Sequence, residues 1–241
     1  MNDDVDASTF QPNAGSRGLI GGKYEVIAEL GRGGFGTVFK ARHAGLNKLV
    51  AIKVLHASLL VDEVTRSRFE LEAKAGANLS HPNLVSVLDN GFTERGEPYL
   101  VMEFVEGTTL DQFLSTGSPQ TDDLLNILIQ VGKAVRYLHD SNIIHRDLKT
   151  SNILVQDIGC QRYARLLDLG IAKVFSPDGG EKNVQLTSTG MIFGSPAFMS
   201  PEQCQGQVLD ARSDIYSFGC VIYQCLMGDI PFSGENSLQV I

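Results

Sequence analysis

The 241-residue sequence contains no long apolar run. None of its stretches approaches the roughly 18 uncharged residues that a membrane-spanning helix needs, and residues 1–22 lack the apolar centre of a secretory signal. Positive charge is also scarce. With 20 Lys and Arg against 28 Asp and Glu, the formal net charge is −8, which leaves no basic stripe for a nucleic-acid backbone or an anionic membrane surface. Any phosphate bound here must be bound locally. The four cysteines, Cys160, Cys204, Cys220 and Cys225, form no C-x-x-C pair and read as reduced thiols rather than as a metal site, which suits a cytoplasm. Internal repeats and low-complexity tracts are missing as well. What remains is a soluble chain long enough to bury a large core, either as one big domain or as two lobes sharing an interface.

Residues 1–22 are rich in Asp, Asn, Ser and Gly and are expected to be a mobile tail. Folded sequence is expected from Tyr24. There YEVIAEL and TVFKARH read as strands around a glycine turn, and KLVAIKVL, dense in β-branched and aliphatic residues, reads as a third. A charged, alanine-rich helix is expected from about residue 62 to 79, before the His81-Pro82-Asn83 breaker. Further strands follow at NLVSVLDNGF and PYLVMEFV. After Gly107 the pattern turns helical: Leu124, Leu128, Val131, Val135 and Leu138 recur at helical spacing. A second long helix is expected from about residue 213 to 227, with Ile215, Phe218, Ile222, Cys225 and Leu226 on its apolar face.

The turn ELGRGGFGTVFK carries Gly31, Gly33 and Gly36 in the pattern G-x-G-x-x-G. In a dinucleotide-binding fold the third glycine begins a helix. Here it enters a strand, so the loop reads as a hairpin lid whose N–H groups can approach phosphates. In VAIK, Lys53 supplies a cation under that lid. The following helix offers Glu70 or Glu72 as its partner, on different faces, so only one can face inward. The stretch IIHRDLKTSNILV combines Asp147 as a proton acceptor, Lys149 as a phosphate-binding cation and Asn152 as a metal ligand. ILV and ARLLD read as paired strands, with Asn152 just before the first and Asp168 just after the second. In an antiparallel pair those ends are neighbours, and their oxygens converge as Mg²⁺ requires.

Taken in order, GRGGFGTV, VAIK, HRDLKTSN, DLG, GSPAFMSPE and DIYSFG resemble the motifs of the eukaryotic-type serine/threonine protein kinases, including their bacterial members, from Tyr24 to the end of the chain. The resemblance implies an α+β, bilobal fold: an antiparallel β-rich small lobe with one helix (residues 23–102), a hinge (103–107) and a mainly helical large lobe (108–241). It implies ATP as phosphoryl donor, Mg²⁺ (or Mn²⁺) as the metal, and Ser/Thr hydroxyls of proteins as acceptors. By position, Gly31, Gly33 and Gly36 resemble the phosphate lid, and Lys53 the lysine on the α- and β-phosphates, with Glu72 as its partner by spacing to the His81-Pro82-Asn83 turn. Asp147 resembles the catalytic aspartate, Lys149 the γ-phosphate lysine, and Asn152 and Asp168 the metal ligands. Met102 takes the gatekeeper place. Glu103 and Val105 match the adenine hinge, and Val38, Ala51 and Leu154 complete the nucleotide pocket.

Arg146 before Asp147 is the family's mark of control by activation-loop phosphorylation, here expected in Thr187, Ser188 and Thr189. Ser195 matches the hydroxyl that bonds the catalytic aspartate and lysine. A homodimer for trans-autophosphorylation is a further partner, and the location is cytoplasmic or the cytoplasmic part of a longer, membrane-anchored protein. The non-catalytic alternative, an ATP-binding scaffold, usually lacks one of Lys53, Asp147, Asn152 or Asp168. All four are present. DLG and SPE depart from the commoner DFG and APE. The family's last large-lobe helices are not in the sequence, so the C-lobe reads as incomplete, with an apolar face wet and Glu202 without its usual arginine.

Overall fold

The computed structural model describes residues 19–56, 63–117, 119–159, 161–168 and 196–234. Alternation in TVFKARH and KLVAIKVL produces two strands, β3 (Gly36–His43) and β4 (Lys48–Leu55), which pair antiparallel with each other. They lie in a six-stranded sheet of order β1-β2-β3-β4-β6-β5, completed by β1 (Leu19–Ile20), β2 (Tyr24–Gly33), β5 (Val87–Phe92) and β6 (Pro98–Glu103). The expected start at Tyr24 is corrected by β1: Ile20 pairs with Tyr24 and is buried in the sheet's core. Two residues give no periodic signal, which is why that strand was hidden inside the tail's polar composition.

The two faces of this sheet have different jobs. Phe39, Ala41, Val50, Ile52, Val54, Tyr99 and Val101 close one face with Ile20 and Tyr24. Leu55, Leu100 and Met102 face the other way, against Phe69 and Ala73 of helix α1 (Glu63–Ala77). Period-two alternation thus separates a closed face from one that carries the helix and the cleft.

The second lobe is built on α3 (Thr121–Asp140), whose Leu124, Ile127, Leu128, Val131, Ala134, Val135 and Leu138 are all buried. They pack with Leu110 of α2 (Leu110–Ser115) and with Val221 and Cys225 of α5 (Ala211–Met227). A hairpin of β8 (Ile153–Ile158) and β9 (Gln161–Leu166), flanked by β7 (Thr108–Thr109), adds Ile153, Val155, Ala164 and Leu166 to the same core. The chain is α+β and bilobal. Among the described residues, no helix is long and apolar enough to cross a membrane, and Cys204, Cys220 and Cys225 are free thiols; Cys160 lies outside them.

The expected face of α5 is corrected. Its buried side chains are Ser213, Asp214, Ser217, Cys220, Val221 and Cys225, whereas Ile215 and Leu226 are exposed; Phe218 and Ile222 pack at the core's edge. Three buried polar groups replace the expected apolar ones because each has partners. Ser217 Oγ donates to the Phe198 carbonyl at 2.7 Å and Ser213 Oγ to Glu202 at 2.5 Å. Satisfied polar groups can occupy a core. Glu202, expected to be without its usual arginine, accepts the Ser213 hydroxyl, and that bond holds its carboxyl below the ordinary carboxylate range.

The lobes meet where the His81-Pro82-Asn83 breaker reaches β9. Leu166 N–H donates to the Asn83 carbonyl at 2.8 Å and Val85 N–H to the Leu166 carbonyl at 3.0 Å. Asn83 Nδ2 donates to the Ala164 carbonyl at 2.8 Å and to Gln130 of α3 at 2.9 Å. A breaker that ends α1 therefore also welds the small lobe to the hairpin of the large one.

Candidate active site

The glycine loop is a hairpin, with Gly33 opposite Gly36 and Gly31 opposite Val38. A Cβ at Gly36 would lie 2.1 Å from the Val54 carbonyl oxygen, so the close approach of β4 demands glycine there. At Gly31 and Gly33 a Cβ would meet nothing within 4 Å. Protein packing makes no such demand at those two positions. Open space over backbone N–H groups is what a phosphate approaching the turn requires.

Register then assigns the cleft face. Val38 is opposite Lys53, which is opposite Leu100, while Lys40 is opposite Ala51, which is opposite Met102. Directly opposed residues in an antiparallel sheet share a face, so Val38, Ala51, Lys53 and Met102 all lie under the glycine hairpin. Ala51 and Val105 pack against the cluster that contains Met102. The described partner of Lys53 is Asp168: Nζ lies 2.5 Å from Oδ2. Glu70 pairs with Arg66 on the outer side of α1 at 3.9 Å. The side chain of Glu72 lies outside the described residues.

The hairpin of β8 and β9 sets the remaining oxygens. Ile153 is opposite Leu166, and just past that pair Leu167 N–H donates to the Asn152 carbonyl at 2.8 Å. Asn152 and Asp168 are consequently neighbours at the open end of the hairpin. Asn152 Nδ2 donates to the Asp147 carbonyl at 2.8 Å and to Asp147 Oδ2 at 2.9 Å, which turns its amide oxygen away from Asp147. Lys149 Nζ lies 3.0 Å from the same Asp147 Oδ2. One carboxylate thus receives an amide donor and a cation. Asp168 has φ +51°, a left-handed conformation that a non-glycine residue holds at a cost.

Asp214 organises the loop, and the sequence reading gave it no individual role. Located in the first turn of α5, it is 1 % exposed. Its Oδ1 accepts from Arg146 N–H at 2.9 Å, and its Oδ2 accepts from His145 N–H at 2.8 Å and from His139 Nε2 at 2.8 Å. These bonds hold Arg146 at φ +66°. The fully buried His145 donates through Nε2 to the Leu167 carbonyl at 2.9 Å and accepts Asp147 N–H at Nδ1, 3.3 Å away. That pattern is the neutral ring, and burial pulls its pKa below the usual histidine range. Gln203 adds an outer brace. Its Nε2 donates to the Arg146 carbonyl at 2.9 Å while its Oε1 accepts Ser200 N–H at 3.0 Å in the capping box of α4 (Pro201–Cys204).

At the back of the cleft, Glu103 has its side chain committed within the protein. Oε1 accepts Ser86 N–H at 2.9 Å and also a hydrogen bond from Arg165 Nη2. Leu154 stands opposite Arg165 in the hairpin. Thr187, Ser188, Thr189 and Ser195 lie outside the described residues.

A two-lobed fold with a glycine hairpin, a strand lysine and an Asp-Lys-Asn loop beside a second aspartate defines a class, and comparison identifies it. The protein kinase domain family matches residues 24–241. The chain belongs to that family, among the bacterial serine/threonine protein kinases. It is 43 % identical over 218 residues to serine/threonine-protein kinase pkn3 of Myxococcus xanthus, covering 90 % of this chain and 40 % of the relative. Serine/threonine-protein kinase PknB of Mycobacterium tuberculosis is 38 % identical over 222 residues, covering 90 % and 34 %. The chain therefore spans two fifths or less of these relatives' length. Among solved structures, Rad53 1-466 in complex with AMP-PNP superposes with a TM-score of 0.68 at 29 % identity, covering 90 % of this chain and 52 % of that one.

Proposed function

We propose that the protein transfers the γ-phosphate of ATP to serine and threonine hydroxyls of protein substrates. The observation that carries this reading is the shared Asp147 carboxylate oxygen, held at 2.9 Å by Asn152 and 3.0 Å by Lys149 beside the open end of the β8–β9 hairpin. In this reading ATP lies between the sheet's cleft face and the hairpin. Gly31, Gly33 and Gly36 cover its phosphates, Val38, Ala51, Met102, Val105 and Leu154 enclose the adenine, and backbone groups of residues 103–105 bond its edge. Lys53 neutralises the α- and β-phosphates, with Glu72 as its orienting partner.

The donor set fits a hard divalent cation: a carboxylate from Asp168 and the amide oxygen of Asn152, at adjacent hairpin ends. When bound there, Mg²⁺ (or Mn²⁺) supplies neutralisation of charge on the phosphate oxygens. The protein's own residues do the rest. Asp147 orients the acceptor hydroxyl and takes its proton. Lys149 lies close enough to that carboxylate to meet the transferring phosphate while steadying the base. His145, kept neutral, fixes the Asp147 backbone and the Leu167 carbonyl beside Asp168. Such positioning and electrostatics account for most of the barrier reduction in phosphoryl transfer.

Residues 23–102, extended by β1, serve as the small lobe, 103–107 as the hinge and 108–241 as the large lobe. Phosphorylation at Thr187, Ser188 or Thr189 would set negative charge against Arg146, and Ser195 would bond the catalytic pair. A homodimer for trans-autophosphorylation and a cytoplasmic location complete the proposal. Intact-mass analysis after incubation with Mg-ATP tests it: wild-type protein gains increments of one phosphate and Asp147→Asn gains none. Equal gain by both proteins would contradict the role of Asp147.

A further inference from the structure

Among the described residues, side chains of the β8–β9 hairpin reach the hinge at two places: Gln156 Nε2 donates to the Glu106 carbonyl at 2.9 Å on the exposed side, and Arg165 reaches Glu103 at the other end. In the hairpin, Ile153 and Leu166 face the large-lobe core, both buried. Leu154 and Arg165, the next opposed pair, face the other way, toward the cleft. Arg165 Nη2 donates to Glu103 Oε1. The same oxygen accepts Ser86 N–H at 2.9 Å, and Glu103 N–H donates to the Ser86 carbonyl at 3.0 Å. Glu103 is thereby fastened twice to the small lobe, and Arg165 fastens it a third time from the large one. The side chains of Arg165 and Glu103 are only 20 % and 28 % exposed, so solvent screens this pair less than a surface ion pair.

We propose that Arg165 is a positioning residue, a latch from β9 to the hinge that fixes the distance between the adenine end and the metal end of the nucleotide site. Asp168 lies three positions after Arg165, two residues past the end of β9. Leu154, on the adenine side, is the cross-strand partner of Arg165. A ligand that grips two subsites gains from the second only while their separation matches its own length. Freeing Glu103 from Arg165 leaves the bond from Gln156 to Glu106 holding the far end of the hinge, so it is residue 103, at the adenine end, that can shift against β9. A two-ended ligand then loses affinity, while a ligand that touches only the hinge keeps it.

The inference rests on the nucleotide-binding reading above, and its test separates the two. Calorimetric titration of wild type, Arg165→Met and Arg165→Lys uses two probes, adenosine and AMP-PNP with Mg²⁺. Arg165→Met is expected to bind Mg-AMP-PNP roughly tenfold more weakly while adenosine stays within about twofold. Arg165→Lys should regain most of the loss. Only Nη2 makes the described bond, and Arg165 Nε is buried without a hydrogen-bond partner among the described residues, so an ammonium can supply the single contact. Unchanged Mg-AMP-PNP affinity in Arg165→Met would overturn the latch, as would equal weakening of both probes or failure of lysine to rescue. Failure of wild type to bind Mg-AMP-PNP would overturn the nucleotide reading itself, and the latch with it, before any variant is compared.

Discussion

Replacing Asp214 by asparagine keeps the volume and removes one acceptor from a buried junction that uses both carboxylate oxygens. In either orientation of the new amide, its NH₂ faces a backbone N–H, of Arg146 or of His145, whose present bonds are 2.9 and 2.8 Å long. A hydrogen bond to a charged acceptor contributes about 1.5–3 kcal/mol, and a buried donor left without a partner costs about 1–3 kcal/mol. These overlap, so the expected loss is about 3–5 kcal/mol, a large part of the roughly 5–15 kcal/mol that holds a domain folded. The catalytic loop suffers too, because Arg146 at φ +66° no longer has its backbone clamped and the neighbouring Asp147 drifts. The sequence has no tryptophan, so urea unfolding should be followed by far-ultraviolet circular dichroism, alongside kcat for phosphate transfer. A variant within about 0.5 kcal/mol of wild type, with kcat unchanged, would refute the clamp.

The lid glycines should separate by role. Gly36→Ala, with its Cβ 2.1 Å from the Val54 carbonyl oxygen, should lose about 1–3 kcal/mol of stability; Gly33→Ala should keep its melting temperature and raise KM for ATP, and a drop in melting temperature for Gly33→Ala would contradict this division. Acid should destabilise the fold in two steps. Burial lowers the folded pKa of His145, so the unfolded chain takes that proton first, and stability falls as pH drops below about 6.5. The Glu202 carboxyl, lowered by the Ser213 hydroxyl, adds a further loss at lower pH, through its folded value. Urea midpoints should therefore decline from about pH 7.5 to about pH 5.5, and a flat or rising profile would count against a neutral buried His145. Chelating divalent ions with EDTA should stop phosphate transfer, with recovery on adding Mg²⁺ or Mn²⁺; Asp168→Asn should not recover under the same conditions, and full recovery would remove Asp168 from the metal site.

Much of the fold was legible because it depends on local periodicity. The alternation around Lys53 and the helical spacing from Leu124 to Leu138 each yielded the element they imply, and HPN before Leu84 marked the end of α1. Convergence of Asn152 and Asp168 followed from where two strands end, a relation that sequence order preserves. What failed depends on partners distant in sequence. Ile215 and Leu226 looked like core residues of α5, yet Ser213, Asp214 and Ser217 occupy the buried positions, stabilised by acceptors and donors at Glu202, the 145–146 backbone and Phe198. No hydropathy pattern announces a buried aspartate whose partners lie 68 and 69 residues away. The contact of Glu103 with Arg165 spans 62 residues and was hidden for the same reason, whereas the backbone role expected of the hinge needed only a motif.

Transfer from ATP labelled in the γ-phosphate, followed by identification of the phosphorylated amino acids in an acceptor protein, tests the central claim most directly. Wild type should place label on serine and threonine and not on tyrosine, and Asp147→Asn should place none. Label that appears only as free phosphate, or equally with Asp147→Asn, would contradict a protein kinase working through the Asp147, Lys149 and Asn152 cluster.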